Sequence, residues 1–179
     1  QAMEAQAIYL RGSLAQYQSG KRDHLAYRVA RRNAHNADAA LSNSYSAMLK
    51  EPLRVRGGAE VVANFLRLSH TQLNYLSALG AQRGGAAAQP MDEATQASAQ
   101  ALLQSLQDLS DELERAQREM GGRRRPVAQA PAVAEVLRQF GQPPPAVPAQ
   151  SWMANQLQLV GKVFPQLREQ ARQMVERGE

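Results

Sequence analysis

Apolar residues in this chain recur in alternating steps of three and four over five separate stretches, a spacing that lines one face of an α-helix each time. The first stretch, about 2–18, carries Met3, Ala7, Leu10, Leu14 and Tyr17, and Ser19-Gly20 stops it. The second, about 22–50, carries Tyr27, Ala30, Ala34, Ala37, Leu41, Ser44 and Met48, with Pro52 as its terminator. The third follows Gly57-Gly58 with Val62, Leu66, Ser69, Leu73, Leu76 and Gly80. The fourth has the cleanest stripe: Ala99, Leu102, Leu106, Leu109, Leu113, Ala116 and Met120, with Asp92 and Glu93 in its first turn. The last, about 149–177, carries Met153, Leu157, Val160, Phe164, Leu167, Ala171 and Met174. Its Pro165 is expected to kink the helix without ending it. No segment alternates with period two for long enough to be a strand.

Between the last two stretches lie Gly121-Gly122, Arg123-Arg124-Arg125 and a short apolar pattern, Val133, Val136, Leu137 and Phe140, that predicts a helix at about 131–140. The proline-rich run 142–148 is expected to be extended, because proline removes amide donors and biases its predecessor away from the α region. The resulting expectation is an all-α fold: an antiparallel helical bundle of five long helices and one short helix. Residues 1–179 form one domain, with the linker at 142–148 inside it. Composition agrees, since aromatics are only 5% and the core must be built from Leu, Ala, Val and Met.

The chain has no cysteine, which excludes disulfides and thiolate metal sites. No stretch approaches the roughly 20 apolar residues of a membrane span. The start at Gln1, without a signal-peptide pattern, is read as that of a soluble piece of a longer protein. Net charge is +5, and it is uneven: residues 1–90 hold 11 Lys+Arg against 5 Asp+Glu, whereas residues 91–179 hold 10 against 11. The basic half suits phosphate, on lipid headgroups or on nucleic acid.

The second stretch is chemically unusual. At about 1.5 Å per residue, a helix from 22 to 49 is about 40 Å long. Its expected core face is mostly alanine, which lets a neighbouring backbone come close. Arg31, His35 and Asp38 share one ridge, and Arg28, Arg32 and Asn36 the adjacent one. A solvated polar face and a structural polar network both account for these rows; a binding or catalytic site is the remaining alternative.

The string Tyr27-Arg28-x-Ala30-Arg31-Arg32-x-Ala34-His35-Asn36-x-Asp38, closing on Met48-Leu49-x-Glu51-Pro52, resembles the cytoplasmic region of fusaric-acid-resistance-type inner-membrane proteins, in particular their YccS/YhfK-like branch. Tyr9-Leu10-Arg11 and Tyr17 fit the soluble helical region that follows the second membrane block in that family. The resemblance covers about residues 8–52. It implies a C-terminal cytoplasmic domain, on the cytoplasmic side of a bacterial inner membrane, whose parent works in aromatic-acid efflux or envelope transport. The partners implied are the membrane helices of the same full-length chain. The basic half adds anionic lipid headgroups, and the regular stripes leave a homo-oligomer open.

No catalytic, cofactor or metal site is expected. His24, His35 and His70 lack ligand spacing, and ordinary surface histidines account for them better than a meeting of His35, His70 and Asp38. The glycine pairs do not sit between a strand and a helix, so no phosphate-cradling loop is supported. Basic residues without interleaved aromatics disfavour nucleic acid. The residues singled out as a structural or interaction motif are Tyr27, Arg28, Arg31, Arg32, His35, Asn36, Asp38, Glu51 and Pro52. The expected function is a non-catalytic domain that supports assembly of a transporter-like membrane protein or couples to its membrane helices. The alternative is a helical ligand-sensing or nucleic-acid-associated regulatory module. An enzyme using the Arg31–His35–Asp38 row ranks third.

Overall fold

The computed structural model describes residues 1–19, 24–52, 58–81, 91–120 and 148–177, and these are helical, without a strand. The helices are α1 (Ala2–Ser19), α2 (His24–Met48), α3 (Ala59–Ala81), α4 (Glu93–Met120) and α5 (Pro148–Arg177). The short helix expected at about 131–140, the arginines at 123–125 and residues 142–147 lie outside the described residues.

Local chemistry sets the helix ends. Gly58 has a φ of 80°, a conformation that glycine alone takes without a Cβ penalty, and its carbonyl accepts the Val62 amide to begin α3. Asp92, expected inside the first turn of α4, is its cap instead: its carboxylate accepts the Thr95 amide at 2.6 Å. At the end of α2, Lys50 and Glu51 donate their amides to Ala47 and Met48, so the helix stops at Met48, before Pro52 restricts its neighbour. Pro148, expected to be extended, opens α5, because a first-turn amide has no helical partner to lose. The exposed Pro165 does not break that helix, which runs on to Arg177.

One cluster of buried side chains takes residues from all five helices, among them Leu10, Ala34, Leu73, Leu106 and Phe164. α1 packs against α2, α3 and α4; α3 also packs against α2 and α5, and α4 against α5. The stripe expected on α5 is buried as read, except that Met174 is half-buried. On α3 the buried face is wider than its stripe and shifted at the start: Val61, Phe65 and Leu68 are buried, while Val62 and Leu66 are half-buried. The cause is that three helices cover α3.

On α2 the stripe holds through Ala34 and then departs from expectation. Ala37 is half-buried and Asp38 is buried in its place, and Ser44 is exposed. A helical period of 3.6 permits either 37 or 38 after 34. The neighbouring helix decides, as the polar contacts of Asp38 explain.

Candidate functional site

The polar chemistry of the molecule converges where α1, α2 and α3 meet. The Asp38 carboxylate, only 6% exposed, accepts from the Ser69 hydroxyl at 3.4 Å and lies 2.9 Å from Nδ1 of His70. Ser69 in turn accepts the Gln6 side-chain amide, at 3.1 Å on its carbonyl and 3.0 Å on its hydroxyl. A buried carboxylate needs such partners, because taking it from water without them costs more than most interactions return.

About three turns away along α2, the Tyr9 and Tyr27 hydroxyls share a hydrogen bond of 2.9 Å, with ring centroids 5.5 Å apart. Tyr17 donates to the carbonyl of Leu79 at 2.6 Å. Between the two clusters, Ser77 lies 3.3 Å from Nε2 of His35. Partners run in opposite order on the two helices: Tyr27 lies at Gly80, His35 at Ser77 and Asp38 at Ser69 and His70. Two ionisable groups respond. Burial pushes the Tyr9 phenol well above its ordinary range, reinforced by its hydrogen bond to Tyr27 and opposed by Ser77 and Arg31. Burial also holds the His35 imidazole below its ordinary value; Arg31 and His70 add to this, and Asp38 opposes it.

The motif residues therefore divide. Tyr27 and Asp38 are buried and enter the network; His35 is exposed but bonded into it. Arg28, Arg31, Arg32 and Asn36 lie on the exposed side of α2, and Glu51 and Pro52 are exposed beyond its end. Solvated face and polar network are thus both present, on opposite sides of one helix. His35 and His70 are exposed, as expected of surface histidines, yet His70 also meets Asp38. His35 and His70 flank Asp38 across the α2–α3 seam, because residues 35 and 38 are one helical turn apart. Among the described residues, no group of three or more His, Asp or Glu side chains is placed to hold a metal ion.

Sequence reasoning missed Gln6, Ser69 as an acceptor and donor, and Gly80 as the seat of the tyrosine pair. The only available signal was the alanine face of α2, which announces close approach but not what approaches. Gln72, fully buried one turn beyond Ser69, was likewise not legible; among the described residues its amide meets no hydrogen-bond partner.

With this geometry in view, comparison with known proteins gives one result. The chain is similar to an inner membrane protein. It shares 46% identity over 82 residues with inner membrane protein YccS of Escherichia coli (strain K12), a match covering 46% of this chain and 11% of YccS. A protein of Haemophilus influenzae (strain ATCC 51907 / DSM 11121 / KW20 / Rd), described only as uncharacterized, shares 45% identity over 83 residues, 46% of this chain and 12% of that protein. The matches thus span about a tenth of the length of these relatives. No protein-family model and no solved structure matches. Among the described residues, no helix is long and apolar enough to cross a membrane.

Proposed function

We propose that this chain is a non-catalytic helical domain of an inner-membrane protein of the fusaric-acid-resistance type, lying on the cytoplasmic side as its C-terminal region. Its five helices form an antiparallel bundle that supports assembly or couples to the membrane helices of the same full-length chain. The observation that carries this reading is the 46% identity to inner membrane protein YccS over 82 residues. The buried hydrogen bonds around Asp38 and between Tyr9 and Tyr27 fit a rigid structural part, since directional bonds between buried polar groups favour one packing arrangement.

The test is expression of the complete reading frame containing this sequence, with a reporter fused after Glu179, followed by fractionation and protease protection. The reading requires a product that stays with membranes after a high-salt wash, with the reporter on the cytoplasmic face. Recovery of the whole product in the soluble fraction would end it. In that case the regulatory-module reading takes over, because the exposed arginines of α2 then need another anionic partner.

A further inference from the structure

We propose that the outer face of α2 docks on an anionic lipid surface through Arg28, Arg31 and Arg32, with Leu25 and Val29 entering the headgroup layer between them. This deepens the membrane-protein reading and rests on it.

The first observation is charge without compensation. Arg28, Arg31 and Arg32 are exposed, and among the described residues none meets a carboxylate. The one acidic residue of α2, Asp38, is buried and turned toward Ser69 and His70. The charged side chains that α2 shows to solvent are therefore all positive. Three arginines on α4 and α5 differ in this respect: Arg118 meets Glu114, Arg168 meets Glu112, and Arg172 meets both Glu169 and Glu176. Three exposed arginines on one helix, with no exposed acidic side chain on that helix, make a surface prepared for an anion from elsewhere.

The second observation selects the anion. Leu25 is 73% exposed and Val29 49%, and both lie on the same side as Arg28 and Arg32, at spacings of three, four and seven. α1 repeats the combination with exposed Ile8 and Arg11, one turn or less before the point where Gly12 faces Ala30. Apolar side chains set among arginines suit a bilayer surface, where the guanidinium groups meet phosphate and the aliphatic groups leave water. A duplex or an acidic protein would use the arginines and leave the leucine and valine exposed.

The experiment measures binding of the 179-residue chain to vesicles of phosphatidylcholine with and without phosphatidylglycerol, by co-sedimentation. The expected result is binding only when phosphatidylglycerol is present, weakening as salt is raised. Taking each arginine near the surface as worth about fivefold, R28Q/R32Q should bind about twenty-five-fold more weakly. L25Q/V29Q should also lose affinity although its charge is unchanged, and circular dichroism should show both variants as helical as the parent. Equal binding by L25Q/V29Q and the parent, equal binding to neutral vesicles, or tighter binding to duplex DNA at the same salt would overturn the inference. If the full-length product fractionates with membranes while this chain ignores anionic vesicles, docking falls and the proposed function stands.

Discussion

The hydroxyls of Tyr9 and Tyr27 lie 2.9 Å apart in the core, and they can do so because residue 80 has no side chain. A Cβ at Gly80 would stand 2.2 Å from the Tyr27 hydroxyl, 2.8 Å from that of Tyr9 and 3.0 Å from Cε2 of Tyr27. Both rings are buried, so neither hydroxyl swings aside freely. Gly80→Ala should therefore destabilise the fold by about 1–3 kcal/mol, the usual range for overpacking. Urea melts of Gly80→Ala, Tyr27→Phe and the double variant check this as a cycle. The double variant should recover part of the loss, since removing the Tyr27 hydroxyl removes the nearest clash. Strict additivity would show that the two residues do not compete for this space.

Alkaline stability should report on Tyr9. Its phenol is held well above the ordinary value of 10.0, first by burial and then by the bond to Tyr27. The unfolded chain releases this proton near pH 10 while the folded chain keeps it. The stabilisation is thus complete below about pH 10 and is lost as pH rises above it. Denaturant midpoints measured from pH 8 upward should fall less steeply for Tyr9→Phe than for the parent, once the variant's lower starting stability is taken into account. Parallel curves would refute the assignment.

Much of this fold is legible in the spacing of apolar residues, because a stripe such as Met153–Leu157–Val160–Phe164–Leu167 can face only one way on a helix. The polar seam is less legible. Asp38 and Ala37 are equivalent to a pattern of threes and fours, and what buries Asp38 is Ser69 and His70, about 30 residues along the chain. Gly80 reads as one small residue in a stripe; its role depends on two tyrosines that only tertiary packing brings to it. The sequence also shows arginines on both halves of the chain. Spacing along one helix suggests the pairs Arg118–Glu114 and Arg172–Glu169, but not Arg168–Glu112, which crosses between helices.

Replacing Asp38 should separate the buried side of α2 from its solvated side. Asp38→Ala strips the buried Ser69 hydroxyl of its acceptor and frees the exposed His70 ring, a loss of about 1–3 kcal/mol that falls mainly on the group left inside the seam. Arg32→Ala, on the exposed ridge, should stay within about 0.5 kcal/mol of the parent. Chemical denaturation of the two variants under identical conditions measures both. Equal effects would contradict the division of α2 into a bonded and a free face.

His35 should titrate below its ordinary value of 6.5, because partial burial and the neighbouring Arg31 outweigh the attraction of Asp38. The folded state then resists a proton that the unfolded chain accepts. Its contribution to stability is present above pH 6.5 and is lost as pH falls through the folded value. An NMR titration of the His35 ring proton should show a midpoint under 6.5, and His35→Gln should remove part of the acid dependence of thermal stability. A midpoint at or above 6.5 would mean that Asp38 dominates instead.

Arg168 and Glu112 join α5 to α4 through an ion pair whose side chains are only 20% and 14% exposed. A pair this sheltered behaves differently from the open bridges of Arg172, which solvent screens. Removing either partner alone leaves a charge in a poorly hydrated place, so Arg168→Ala and Glu112→Ala should each cost about 1–3 kcal/mol. The double variant Arg168→Met/Glu112→Leu should cost less than the sum, because two aliphatic groups of similar reach can pack where the charges stood. Arg172→Ala should change stability by less than about 1 kcal/mol, and added salt should narrow that difference further. Thermal melts at low and high salt distinguish the two cases: the cost at Arg168 should persist in high salt, and a cost that disappears there would mean that water reaches this pair as freely as it reaches Arg172.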